Sequence, residues 1–362
     1  MKKFPYIASL LFCIALTGCR TKPFMVKGLM NLCGNMNMTG DMSMSGDMKM
    51  NGDMNMAMKA DNTASRLSMV HVSGHRNSSQ RIALVDVDGL LVNRNAGGFV
   101  SMGENPVALF REKLNVIRRD PSVAAIVLRV NSPGGGVTAA DMMAHELKSL
   151  KADRNLPVVT CAMEVNAGGA YYLSSHSDVI VAHPTSVVGG IGVLLNLYDA
   201  QDGMGNAGTA LRRIKSGEMI DIASADRIIE EEEVELLQGI ADNFHERFVD
   251  LVKDSRPEAT DDKLFDGRIL TGSQAVEEGL VDQVGYVDDA IEVARKLAGL
   301  SPECSVMMLR RDNDRAHTAL DISPNEISSP GLLSIKIPGL DRSDLPKFLY
   351  LWQPEPSLGS AL

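Results

Sequence analysis

Two glycine-rich segments and one lysine carry the residue types best suited to chemistry in this 362-residue chain. The first segment is Asn131-Ser-Pro-Gly-Gly-Gly136. Gly134 and Gly135 have no side chain, so a carbonyl group can approach their backbone closely. Their N–H groups could then form an oxyanion hole. The plainer alternative is a strand-to-helix turn that needs glycine. The second segment is Asn166-Ala-Gly-Gly-Ala-Tyr-Tyr172, and the lysine is Lys215 in Ile214-Lys-Ser-Gly217. On residue type alone Lys215 reads as a surface lysine. His176 and His183 lack a neighbouring nucleophile and orienting acid, and read as surface or core histidines.

A different chemistry is suggested near the N-terminus. The hexad G-[ND]-M-x-M-x runs four times without a slip from Gly34 to Ala57. It places Met36, Met38, Met42, Met44, Met48, Met50, Met54 and Met56 in pairs separated by one residue. Thioethers favour Cu(I) or Ag(I), and M-x-M spacing lets two sulfurs meet one ion in an extended chain. The small polar residues between them equally suit a flexible tether, and the sulfurs could serve as an oxidation sink. No other cofactor is indicated. Five cysteines with no CxxC pair indicate neither a zinc site nor a disulfide framework.

The elements that must position these residues are legible from Arg81 onward. Ile82 to Gly89 and Ala124 to Val130 are short apolar runs of buried-strand type. Pro157 to Cys161 and Val179 to Ala182 are two more. Helices are expected over Pro106–Arg119, over Thr138–Leu150 and from Gly168 to Ser174. A long helical region is expected from Ala225 to about Lys253, with Glu230 to Glu233 as a solvated face near its start, and a last amphipathic helix within Asp282–Leu300. This alternation predicts an α/β fold with mainly parallel pairing. The tail has one strand-like run, Ser305 to Leu309, and an apolar patch, Phe348-Leu-Tyr-Leu-Trp352. That patch suits either a membrane or partner contact or a strand closing the domain edge.

Composition narrows the setting. A net charge of -10 with no basic patch argues against a nucleic-acid partner. Lys2 and Lys3 precede the apolar run Tyr6–Leu16, which is too short to span a bilayer and has the pattern of a secretory signal. Leu16-Thr-Gly-Cys19 resembles the bacterial lipobox, which implies lipidation at Cys19 and anchoring at a membrane surface. The expected organisation is a signal peptide over 1–19, a Met-rich linker over 20–78, a main domain over 79–300 and an extension over 301–362. The expected location is the bacterial cell envelope, lipid-anchored and facing the periplasm.

Five segments, in order, resemble the signal peptide peptidase A (SppA-type) serine peptidases. Arg129-Val-Asn-Ser-Pro-Gly-Gly135 is similar to that family's R-x-N/D-S-P-G-G loop, and Asn166–Tyr172 to its A-S-G-G-Y-Y segment. Pro184–Val193 is similar to P-T-x-x-x-G-S-I-G-V. Ile214–Gly217 resembles the loop of the catalytic lysine. Gly267–Asp282 resembles G-R-x-x-T-G-x-x-A-x-x-x-G-L-V-D. The resemblance implies a Clp protease/crotonase-like spiral of ββα units, ring- or dome-like oligomers and peptide substrates. It puts Lys215 at the base position. The nucleophile position falls on Gly168 when the tyrosine pair is aligned and on Ala167 when Gly168-Gly169 is aligned, and neither residue can attack a carbonyl. Gly190 stands where the family has serine, and Ile220 where a polar residue is common. The expectation is a degenerate serine–lysine peptidase that binds peptide segments. It could assemble with itself or with an active paralogue, with Lys215 acting in trans. The alternatives are an active endopeptidase with another nucleophile, and a copper-handling lipoprotein. Acyl-CoA chemistry on the same fold is disfavoured for an exported chain.

Overall fold

β-branched and leucine-rich runs build the centre of the molecule because their side chains fill both faces of a covered sheet. A computed structural model describes residues 44–45, 47–48, 67–94, 104–197, 199, 201–206, 208, 211–311, 318–320 and 348–352. The chain divides into two compact units, Met1–Asn62 and Thr63–Leu362. Of the first, only an antiparallel pair is described, β1 (Met44–Ser45) with β2 (Asp47–Met48).

The second unit is α/β. Its main sheet runs β11-β9-β7-β5-β4-β13-β3, with β8 added to β7 and β12 to β8, where β11 is Ile269–Thr271 and β12 is Gln283–Val284. The central strands are β4 (Arg81–Asp88), β5 (Val123–Ser132) and β7 (Val158–Ala167), all parallel. β13 (Ser305–Arg310) joins β4 in parallel, and β3 (Ser68–Ser73) closes that edge antiparallel to β13. β3 thus lies inside the stretch expected as linker: Ser68–Ser73 finds its partner near the other end of the domain, a pairing that local sequence cannot announce. β7 serves two strands in turn: its first half pairs with β8 (Val179–Ala182) and its end with β9 (Val187–Gly189).

Helices cover both faces. α1 (Pro106–Arg119) starts with Asn105, whose Oδ1 accepts the N–H groups of Val107 and Ala108 at 3.0 and 3.2 Å, with proline in the first turn. It buries Phe110, Leu114 and Ile117, spaced to share one stripe. Each such side chain contributes about 1.5–3 kcal/mol by leaving water. α2 (Val137–Arg154) ends on Asn155, which takes the left-handed conformation at φ 48°. α3 (Gly169–Ser174) is fully buried, and α5 (Glu231–Ser255) packs Phe248 and Val252 against the same core. α7 (Val287–Leu297) covers the other face with Val287, Ala290 and Ala294. Short helices α4 (Gln201–Asn206) and α6 (Gly272–Glu277) complete the set among the described residues.

Glu233 differs from its expected solvated role. It is buried, accepts the Arg227 guanidinium at 2.8 Å and accepts the Glu230 N–H at 3.0 Å, so a carboxylate three residues into the helix closes its start. Lys215 and Ile220 lie in the 211–228 segment, whose apolar side chains Leu211, Ile214, Ile220 and Ile228 are exposed.

The feature that shapes the site is a bend in β5. Its pairing with β7 shifts between Val130 and Ser132, and the chain leaves the main sheet. It enters β6 (Gly134–Gly136), which belongs to a separate three-stranded sheet, β10-β14-β6. The centre of that sheet is β14 (Phe348–Leu351), flanked by β10 (Leu194–Leu195). The apolar tail patch is thus a strand packed into the domain. The residues between strand and helix in β5-β6-α2 make one ββα turn.

Candidate peptide groove

The glycine loop is held on both sides. Leu91 bonds one edge of β6, its N–H donating to Gly134 O and its carbonyl accepting from Gly136 N–H, each at 2.9 Å. β14 bonds the other edge, with Leu351 opposite Gly134, Tyr350 opposite Gly135 and Leu349 opposite Gly136. Side chains are excluded by contact: a Cβ at Gly134 would lie 2.0 Å from Tyr350 O, and one at Gly135 would lie 2.1 Å from Leu91 O. Gly134 also has φ +100°, which side-chain-bearing residues rarely adopt.

The Trp352 N–H donates to Pro133 O at 3.0 Å. In an antiparallel ladder this bond flanks a non-hydrogen-bonded pair, here Leu351 and Gly134. The next pair, Tyr350 and Gly135, is then the one that exchanges N–H···O bonds. The Gly135 N–H therefore faces the Tyr350 carbonyl.

Gly168 lies at the other side of that carbonyl. β7 ends at Ala167, and Gly168 turns the chain into α3 with φ 55° and ψ -126°. Its N–H donates to Gly189 O, and its carbonyl accepts from Tyr172 N–H, both at 2.9 Å. A strained strand-to-helix turn of this kind presents the residue at its apex to the groove. A Cβ built on Gly168 would lie 2.4 Å from Tyr350 O, 2.7 Å from Tyr350 C and 3.0 Å from Leu351 N. The apex residue thus meets a peptide bond head-on, and of the two candidate positions it is Gly168, not Ala167, that does so. Gly190 completes this wall: a Cβ there would stand 3.4 Å from Trp352 Cβ.

Lys215 sits elsewhere in its hydrogen bonding. Its ammonium donates to Glu218 O at 2.9 Å and to Asp221 Oδ1 at 3.0 Å. The Lys215 and Arg227 donors hold the Asp221 carboxyl down to about 2. Among the described residues, no hydrogen bond joins Lys215 to the glycine loop or to Gly168.

Nearby hydroxyls are occupied structurally. Ser174 Oγ donates to Ala170 O and contacts Asn166 Oδ1, and Ser175 Oγ donates to Tyr171 O. Ser132 Oγ accepts from Gly134 N–H. His176 packs edge-on to Tyr172, with its pKa depressed to about 4 by burial and then by Lys148 and Lys151. His183 lies against the Tyr286 ring and is depressed by burial.

Sequence reasoning missed the aromatic pocket under β14. Tyr350 is fully buried, its ring 5.3 Å from Tyr172 and 4.8 Å from Phe248, and its hydroxyl donates to Phe244 O at 2.6 Å. The patch 348–352 and the helix spacing Phe244/Phe248 were visible separately, and only the fold joins them. Among the described residues no His/Cys/Asp/Glu group is arranged to hold a metal ion. Cys19 and the Met pairs lie outside the described residues, save the backbone of Met44 and Met48. No helix among the described residues is long and apolar enough to cross a membrane. Cys161 and Cys304 are free and buried, with the Cys161 thiol pushed up to about 12 by burial.

Comparison with known proteins defines the class. Residues 151–301 match peptidase family S49, so this part of the chain is a peptidase S49 domain. Its homologues are the SppA and protease 4 proteins. The Enterococcus faecium protein named "Putative signal peptide peptidase SppA" is 33% identical over 221 residues, 60% of this chain and 64% of that one. Protease 4 of Salmonella typhi is 35% identical over 185 residues, 51% of this chain and 30% of that one. The chain thus matches less than two thirds of the length of these relatives. Among solved structures, a mutant of the 1510-N membrane-bound stomatin-specific protease aligns with TM-score 0.39 and 14% identity, over 59% of this chain and 84% of that one.

Proposed function

We propose that this chain is a peptide-binding member of the SppA-type peptidases that has lost hydrolysis. One observation carries the reading: Gly168 occupies the apex where the turn from β7 into α3 meets a peptide carbonyl, and glycine offers no nucleophile. The groove between β6 and β10 recognises extended chain by adding it as a strand. The Gly135 N–H, kept open by the absence of side chains in the loop, polarises the bound carbonyl. The engaged serines around the site supply no replacement nucleophile.

Assembly belongs to the same reading. The exposed apolar residues Ile214 and Ile220 bracket Lys215, and Leu236 and Ile240 lie one turn apart on exposed α5 surface. An interface formed there with a second copy or an active paralogue would bring Lys215 to a neighbour's groove. Cys19 lipidation would hold the assembly at the envelope membrane.

Peptide hydrolysis tests the reading. Wild type, Gly168→Ser and Gly168→Ser/Lys215→Ala are incubated with a mixed peptide pool and products are read by mass spectrometry. The expected outcome is no cleavage by wild type, cleavage by Gly168→Ser, and its loss in the double variant. Cleavage by wild type that Lys215→Ala abolishes would overturn the proposal.

A further inference from the structure

We infer that a cleft bounded by α1, α2 and α5 is a second binding site, built for a phosphate monoester with a small apolar body. The inference goes beyond the peptide-groove reading and stands without it, since the cationic residues of the cleft lie outside the glycine loop and the turn at Gly168.

The cleft has a volume of about 300 Å³, within the range of small-molecule sites. α2 lines it with Asp141, His145 and Lys148, spaced i, i+4 and i+7 so that all three share one face. α1 contributes Val107 and Arg111. Tyr172, His176 and Arg247 come from α3, the turn after it and α5.

The charges of this lining do not cancel. Each carboxylate is already held by an arginine. Asp141 Oδ1 accepts Arg247 Nη2 at 2.7 Å and the Tyr172 hydroxyl at 3.0 Å. Glu146 Oε1 lies 3.3 Å from Arg111 Nε. Among the described residues, the side chains of Lys148 and His145 make no hydrogen bond or ion pair. The unpaired groups in the cleft are therefore cationic or able to become so, in a chain whose net charge is -10. A cleft lined by free charge of one sign concentrates the opposite sign from solution.

His176 supplies a second reason. Its ring packs edge-on to Tyr172, and among the described residues neither ring nitrogen has a hydrogen-bond partner. The charges acting on it are Lys148, Lys151 and Asp141 from α2 and Arg247 from α5, so cations outnumber carboxylates. Arg111 from α1, with His145 and Glu146 from α2, completes the charged lining. Burial first, and then the two lysines, keep the ring neutral. An anion in the cleft would offset those lysines and accept the free imidazole N–H. A phosphate monoester carries nearly two charges and three acceptor oxygens, enough to serve Lys148 and both histidines together. Val107 and Met142 give its carbon body an apolar surface.

The wild-type chain, labelled with carbon-13 in its histidine rings, is titrated with phenyl phosphate at pH 5.5, with His176 assigned from the His176→Gln spectrum. The His176 resonance should move saturably toward its protonated position, with a Kd below about 1 mM. Lys148→Gln should bind at least about tenfold more weakly. Lys296→Gln, on α7 and the opposite face of the sheet, should bind as wild type does. Benzoate, with the same ring and one charge, should bind at least about tenfold more weakly than phenyl phosphate. No saturable shift up to about 10 mM phenyl phosphate would overturn the site. Equal weakening by Lys148→Gln and Lys296→Gln would reduce it to general electrostatics and overturn it too. Benzoate binding as tightly as phenyl phosphate would overturn the ligand class. Phosphatidylcholine vesicles carrying phosphatidic acid then identify the bearer of the phosphate. Retention that Lys148→Gln abolishes supports the site with a lipid ligand, and phenyl phosphate binding without such retention supports it with a free molecule.

Discussion

Gly168 and His176 show how much a single position can decide here. Gly168 holds φ 55° and ψ -126° at a turn that any side chain would strain. That backbone geometry is held because β7 and α3 are fixed by the core on both sides. His176 gives a pH signature. Its pKa is depressed to about 4, chiefly by burial, whereas in the unfolded chain it titrates near 6.5. Between those values the unfolded state binds the extra proton, so stability falls as pH drops from about 6.5 toward 4 and is full above that window. The shift corresponds to a loss on the order of 2–3 kcal/mol across the window. Urea midpoints at pH 7 and pH 4.5 should differ less in His176→Gln than in wild type. An unchanged difference would assign the acid sensitivity to other groups.

Elements respond to the same substitution with opposite signs, according to what surrounds the backbone. β6 is clamped between Leu91 and β14, and a Cβ at Gly135 would stand 2.1 Å from the Leu91 carbonyl oxygen. Gly135→Ala must push the Leu91 backbone away, with an expected cost of about 1–3 kcal/mol. Gly239 lies in the middle of α5, and a Cβ there meets nothing within 4 Å. Gly239→Ala should stabilise by about 0.5–1 kcal/mol, because alanine loses less backbone entropy on entering a helix. Denaturant unfolding of the two variants side by side measures both. Destabilisation by Gly239→Ala would mean that α5 is covered in solution at that point.

Among the described residues, several exposed aliphatic side chains fall within one stretch of the chain. Ile214, Ile220 and Ile228 stand out of the 211–228 segment, and Leu236 and Ile240 follow on α5. In the proposed assembly these exposed aliphatic residues would form the contact between chains. Replacing Ile214 and Ile220 together by aspartate should lower the sedimenting mass toward that of one chain, because a buried unpaired charge opposes the interface. A wild-type protein that already sediments as a single chain would sink the assembly reading.

The sequence by itself determined the parts whose signals are local. Pro106–Arg119 and Val179–Ala182 form the helix and strand that their periodicity specified, since capping, burial and side-chain period act within a few residues. The absence of a hydroxyl at 167 or 168 was equally plain in the chain. Tertiary structure decided the rest. Only the turn after β7 chose Gly168 over Ala167 as the residue facing the Tyr350 carbonyl, because that choice depends on φ and ψ at one peptide and on what lies across from it. Glu233 looked like part of a solvated acidic run until Arg227 buried it. Ser68–Ser73 became an edge strand through a partner far along the chain, and Phe348–Leu351 became the centre of a sheet through two. Strand pairing at such separations is set by which sheet edge stays open once the core has closed, and no short stretch of sequence carries that information.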